Sequence, residues 1–265
     1  MIKYIFTDID GTILNDEGII TEKNSKIIRN SNIPISLVSA RAPMEMINTL
    51  QKIDANGIHV GFNGGIIYAY QNSVIQILEE KPINKHDAKY LINYIKTNFP
   101  NISQSYYSRN NWYTFKRDRG INYETSITKL QAKLIDMKAY TNPSFSIFKI
   151  MLITFDEKEM ITLTDKLKKL NMLYTSVQRS GKYYLEITHT EAKKSKAIDY
   201  ILNYYGINAE SAAAFGDGHN DLPMFSKVGY PIAMANASDE VKLQAKYITK
   251  SNNQNGVGYG IKYLL

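Results

Sequence analysis

The chain has 265 residues, 44% hydrophobic and 22% charged, proportions that suit one large or two modest water-soluble domains and exclude a disordered, collagen-like or coiled-coil chain. The net charge of +7 is spread along the sequence without a basic block, which argues against a nucleic-acid partner and reads as mild attraction for anions. Cysteine is absent, so disulfides, thiolate metal sites and a cysteine nucleophile are excluded, and a reducing, cytoplasmic setting is the expectation.

The opening MIKYIFTDID brings in acidic residues after a few apolar positions, so neither a signal peptide nor a membrane span is expected there, and no later apolar run reaches spanning length. Residues 2–7 read as a β-rich run ending at Asp8, and 33–38 as a second run ending at Ser39. Between them 21–30 has helical character, with Thr21 as N-cap and Glu22 in the first turn. A third unit follows: helix 44–53, strand 59–62, and the turn Asn63-Gly64-Gly65. Repeated βα units predict a parallel sheet with helices on its faces and a ligand site beyond the carboxyl ends of the strands.

After Pro82 the pattern changes to helical stretches (85–97, 157–170) alternating with long strand-like runs (145–155, 182–188), an inserted α+β domain. From Lys194 the βα pattern resumes, with a helix to Tyr205, a strand 212–215 ending at Gly216-Asp217, a helix from Leu222 and a strand 231–234. The predicted fold is therefore α/β: a doubly wound, Rossmann-like core of 1–81 and 189–265, interrupted by an α+β domain at 82–188.

Asp8-Ile9-Asp10-Gly11-Thr12 directly follows the first strand, so Asp8 and Asp10 can share one site at the sheet edge, with Gly11 letting the backbone approach a ligand closely. An EF-hand loop is the competing pattern. It fails, because Ile13 and Ile19 stand where that loop needs glycine and glutamate. A second acidic cluster, Gly216-Asp217-Gly218-His219-Asn220-Asp221, again follows a strand. Carboxylates on a tight loop suit Mg²⁺; His219 has no partner histidine at zinc-ligand spacing and reads as a solvated loop residue. Ser39-Ala40-Arg41 offers a hydroxyl and backbone N–H groups leading into a helix, a natural place for phosphate oxygens. Lys194 sits in Lys193-Lys194-Ser195-Lys196 at the return from the insert, where at least two of the three lysines are expected to be solvated.

Together these motifs resemble the haloacid dehalogenase superfamily, specifically its Cof-type, subclass IIB phosphatases with a large α+β cap. Asp8 to Thr12 is similar to the first motif, Ser39 to the second, Lys194 to the third, and Gly216-Asp217 with Asn220-Asp221 to the fourth; Asn63-Gly64-Gly65 and Asn236-Ala237 also resemble features of that branch. Two positions depart from it. Ala40 stands where glycine is usual, so that turn must avoid positive φ, and Ser195 follows the motif-three lysine, so Lys193 and Lys196 compete with Lys194 for its role.

The resemblance implies a phosphatase for small phosphorylated metabolites, sugar phosphates first, with pyridoxal phosphate or flavin mononucleotide behind them. Asp8 is the expected nucleophile and Asp10 the acid and base. Ser39, Ala40 and Lys194 are expected to hold phosphate, and Asp8, Asp10, Asp217 and Asp221 to hold Mg²⁺, supported by Gly11, Thr12, Arg41, Asn63 and Asn220. The cap is expected to set specificity through residues such as Arg109, Lys116, Arg179 and Tyr183, each of which is more simply a surface residue. Neither nucleic acid nor membrane is an expected partner, and the expected state is a monomer or weak homodimer. A phosphomutase or other phosphotransferase shares the chemistry of Asp8, and a silent phosphate-binding regulator shares the fold; both are alternatives at this point.

Overall fold

The structure is a computed structural model that describes residues 1–136 and 145–265; residues 137–144, inside the expected cap, lie outside the described residues. In chain order the elements are β1 (Tyr4–Thr7), α1 (Glu22–Asn30), β2 (Ile35–Leu37), α2 (Pro43–Ile53), β3 (Gly57–Gly61), β4 (Ile66–Gln71), β5 (Val74–Glu80), α3 (Lys85–Asn98), β6 (Ser103–Tyr107) and β7 (Trp112–Thr114). They continue with α4 (Arg119–Thr128), β8 (Lys133–Leu134), β9 (Lys149–Ile153), α5 (Glu157–Lys169), β10 (Thr175–Arg179), β11 (Tyr184–His189), α6 (Lys194–Tyr205), β12 (Ala212–Gly216), α7 (Leu222–Phe225), β13 (Tyr230–Ala233), α8 (Asp239–Lys242), β14 (Tyr247–Ile248) and α9 (Gly256–Tyr263). None of the described helices is long and apolar enough to cross a membrane.

The chain divides into two compact units, residues 1–80 with 193–265, and residues 81–192. The first holds a parallel sheet in the order β14-β13-β12-β1-β2. Every residue of β1 and β12 is buried, as strands covered on both faces require, and their sequences are correspondingly almost unbroken apolar runs. β12 has three consecutive alanines, of which Ala212 and Ala214 lie in one core with Phe6, Ile198, Ile201 and Met224. Thr7 pairs with Phe215 on one side and Leu37 on the other, so the three strands that precede Asp8, Asp217 and Ser39 end side by side. The chain runs from β1 to β2 on one flank, while β12 occupies the other, which makes the end of β1 the switch point of the sheet.

One expectation is corrected here. After α2 the parallel array continues only as one parallel bridge, Val38 just beyond β2 with Val60 of β3, and β3, β4 and β5 instead form an antiparallel sheet of their own. Only residues 62–65 separate β3 from β4, too short a connection for the crossover that a parallel pairing needs. Phe62 and Asn63 (φ 51° and 56°) and Gly64 (φ 108°) turn the chain back.

The second unit is a sheet in the order β10-β11-β9-β6-β7-β8, antiparallel except for β7 with β8. α3 and α5 cover one face, where Leu91, Ile92, Ile95, Leu163 and Leu167 meet Ile150, Leu152, Leu185 and Ile187 in a core of its own. Each helix begins at a capping side chain, Asn84 for α3 and Asp156 for α5, which accepts backbone N–H groups that the helix cannot satisfy itself.

Candidate active site

The described residues contain one group of acidic side chains able to share a cation: Asp8, Asp217 and Asp221, whose carboxylate oxygens lie within 4.8 Å of one another. Strand ends place the first two, since Asp8 follows β1 and donates its N–H to the Phe215 carbonyl at 3.0 Å, while Asp217 follows β12. Asp221, fully buried, is tied down by its own loop: its Oδ2 accepts the N–H groups of Asp217 and Gly218, both at 3.0 Å.

Into this group reaches Lys194, the first residue of α6 and 2% exposed, whose Nζ donates to Asp8 Oδ1 at 2.5 Å and Asp221 Oδ1 at 2.8 Å. Lys193 and Lys196 are exposed. The reason is helical periodicity: Lys194 shares its face with the buried Ala197, Ile198 and Ile201, and the other two lysines do not. The start of α6 is also held by the turn after β3. A Cβ on Gly64 would stand 2.6 Å from the Lys193 carbonyl oxygen, so only glycine lets the two backbones pack. Asn63, in the same turn, donates its N–H to the Ser39 carbonyl at 2.8 Å and thereby links the ends of β2 and β3.

The electrostatics follow from burial. Desolvation pushes the Asp8 carboxyl well above its ordinary range, with Asp221 and Asp10 adding to the rise and Lys194 opposing it. Asp217 is pushed up to about 6, again mainly by burial, against the hydrogen bond from Thr12 Oγ1 to its Oδ1 at 2.8 Å. Burial would push the Lys194 ammonium down, but its two carboxylate partners outweigh that and hold it above the usual lysine range. Three carboxylates against one ammonium form an oxygen-rich, net negative cluster, the donor set that a hard divalent cation prefers.

The remaining predicted residues fall around this group. Asp10 is not brought into it: its carboxylate is half exposed and gripped by the Arg41 guanidinium, Nε to Oδ2 at 2.8 Å and a terminal nitrogen to Oδ1 at 2.5 Å. Its side chain thus lies outside the group of Asp8, Asp217 and Asp221, with each oxygen accepting one bond of that fork. Ser39, 1% exposed, follows β2, and its Oγ accepts the Arg41 N–H at 3.2 Å. Ala40 adopts no positive φ, so the turn has the form an alanine needs. The α2 helix that follows begins with a capping bond, Ala42 N–H donating to Glu45 Oε2 at 2.6 Å. Asn220 packs inside its loop, where a Cβ on Gly218 would meet its Oδ1 at 2.4 Å. His219 is exposed and pairs with Glu240 at 2.5 Å, outside the cluster.

Sequence reasoning missed the contacts that hold the loop after β1 from the far end of the chain, made by Asn236, Asn252 and Asn253. Asn252 and Asn253 stand in the amide-rich run Ser251-Asn252-Asn253-Gln254-Asn255, which by composition alone reads as a loop.

Comparison with known proteins agrees with this geometry. Residues 5–261 match the model of the haloacid dehalogenase-like hydrolase family. The 5-amino-6-(5-phospho-D-ribitylamino)uracil phosphatase of Bacillus subtilis is 28% identical, over 99% of this chain and 98% of the relative. A haloacid dehalogenase-like hydrolase from Bacteroides thetaiotaomicron superposes with a TM-score of 0.91 at 24% identity, covering 100% of both chains. A solved subclass IIB sugar phosphatase superposes with a TM-score of 0.81 at 18% identity, over 99% of this chain and 98% of that one. This chain therefore belongs to the haloacid dehalogenase-like hydrolases.

Proposed function

We propose that the protein is a Mg²⁺-dependent phosphatase that moves phosphate from a small phosphorylated metabolite onto Asp8 and then to water. The observation that carries this reading is the position of Asp8: buried at the switch point of the parallel sheet, bonded to Lys194, and grouped with Asp217 and Asp221. In the first step an Asp8 carboxylate oxygen attacks phosphorus, the bond from phosphorus to the leaving oxygen breaks, and that oxygen takes a proton from Asp10. In the second, water gives its proton to Asp10 and attacks phosphorus, releasing phosphate and restoring Asp8. Lys194 sets one positive charge against the buried acids. Asp8, Asp217 and Asp221 would hold Mg²⁺, which when bound offsets phosphate charge.

Asp10 reaches the leaving oxygen only when Arg41 has let go of at least one of its carboxylate oxygens. A phosphate dianion is itself a preferred guanidinium target and so a natural competitor for that fork. Among substrates we place sugar phosphates first. The Bacillus subtilis relative is named for a phosphoribityl compound, whose phosphate sits on a hydroxylated chain of the same chemical kind. The lack of cysteine supports a cytoplasmic location.

The test is phosphate release from sugar phosphates, pyridoxal phosphate and flavin mononucleotide, in Mg²⁺ and in EDTA, for wild type and Asp8→Asn. Turnover that vanishes in EDTA, and falls by at least about 10³-fold in the variant, is the expected result. Full activity without divalent cations, or in Asp8→Asn, would overturn the reading.

A further inference from the structure

The loop that carries Asp8 and Asp10 is gripped by asparagines more than 200 residues away in sequence. Asn236 donates from Nδ2 to the Gly11 carbonyl at 2.8 Å. Asn252, 4% exposed, spends its Nδ2 on the Leu14 carbonyl at 3.1 Å and the Asp16 carboxylate at 2.9 Å, and its backbone N–H on Asn236 Oδ1 at 2.9 Å. The two asparagines act as a unit. A side-chain amide has a donor end and an acceptor end, and by occupying the acceptor of Asn236, Asn252 fixes which end faces Gly11.

What they hold is the surface on which Asp217 rests. Gly11 has φ 72°, and a Cβ there would lie 2.3 Å from Asp217 Oδ2, so the turn is in direct contact with that carboxylate. The next residue, Thr12, donates to the other oxygen of Asp217 at 2.8 Å. A displacement of the Gly11 carbonyl therefore moves the seat of Asp217 relative to Asp8. Asn236 is exposed and Asn252 buried, and neither belongs to the carboxylate group.

We propose that Asn236 and Asn252 are positioning residues for the cation site: through the Gly11 carbonyl they set the placement of Asp217 and with it the affinity for the divalent ion. The inference rests on the reading of Asp8, Asp217 and Asp221 as that site. Partners of this kind, one shell behind the ligands, typically change metal affinity by about 10- to 100-fold when removed.

The experiment titrates Mn²⁺ into the full-length, metal-free protein, following bound and free ion by electron paramagnetic resonance, and separately measures the Mg²⁺ activation constant for hydrolysis. Asn236→Ala deletes the donor, and Asn236→Leu keeps the approximate shape without it; both lie at an exposed position and so avoid the folding risk of Asn252→Ala. In both Asn236 variants the Mn²⁺ dissociation constant and the Mg²⁺ activation constant are expected to rise together by about 10-fold, with kcat at saturating Mg²⁺ within about 3-fold of wild type. Asn253→Ala, which removes bonds to Asp16 alone, is expected to leave both constants unchanged. Mn²⁺ binding as tight in the Asn236 variants as in wild type, or a fall in kcat with unmoved metal constants, would overturn the inference while leaving the phosphatase reading intact. A wild-type protein that binds no Mn²⁺ would overturn the cation site itself, and the inference with it.

Discussion

Lys194 is the residue on which the charge balance of the site turns. Its side chain is 1% exposed, as is that of Asp221, so neither charge is relieved by water. Removing one member of a buried ion pair strands the other, at a cost of about 3–5 kcal/mol. Lys194→Met is therefore expected to lose stability of that order in EDTA and to recover part of it in Mg²⁺, as a cation at the same carboxylates offsets the missing ammonium. Urea unfolding in both buffers checks this, and a variant as stable as wild type in EDTA would remove Lys194 from its neutralising role. The sequence left Lys193 and Lys196 in competition with it, and what separates them is the face of α6 that Lys194 shares with the buried Ala197, Ile198 and Ile201. The pairing of Arg41 with Asp10 was not legible in the sequence, because it joins loops from two different strands and depends on side-chain directions that no local pattern encodes.

At the scale of elements, β1, β2 and β12 were legible because burial on both faces leaves an apolar run, whereas the two-residue, partly exposed β14 was not. Nor was the hairpin of β4 and β5. Its turn uses Asn72-Ser73, both at positive φ (52° and 64°), where the recognisable signal would have been Asn-Gly. Between β2 and β3, where ladder bonding shrinks to one bridge, a side chain takes over. His59 Nδ1 accepts the Leu37 N–H at 3.1 Å, and the ring is fully buried. That burial lowers the His59 pKa from 6.5 to about 3. In this window the unfolded chain binds a proton that the folded chain refuses. The contribution is thus fully present above pH 6.5 and is lost as pH falls toward 3, at up to about 1.4 kcal/mol per unit. Between pH 7 and pH 5 wild type is expected to lose about 2 kcal/mol more than His59→Asn, whose Oδ1 can take the place of Nδ1 without titrating. Equal losses in urea titrations at the two pH values would mean that His59 is not held neutral.

For the molecule as a whole, the division into two cores has an energetic consequence. Asp8, Asp217, Asp221 and Lys194 all belong to the unit of residues 1–80 and 193–265, and residues 81–192 supply none of them. A ligand stabilises only what it binds, by about 2.7 kcal/mol at a hundred times its dissociation constant. Calorimetry in EDTA and then in saturating Mg²⁺ is accordingly expected to show one transition raised by several degrees and another unmoved. Asp217→Asn should abolish the shift without merging the two transitions, because the core of Leu91, Ile95, Leu163 and Ile187 does not depend on the acidic cluster. A single transition that moves as one block would show that the two cores unfold together, and the inserted unit would then share the stability that the cation confers on the catalytic one.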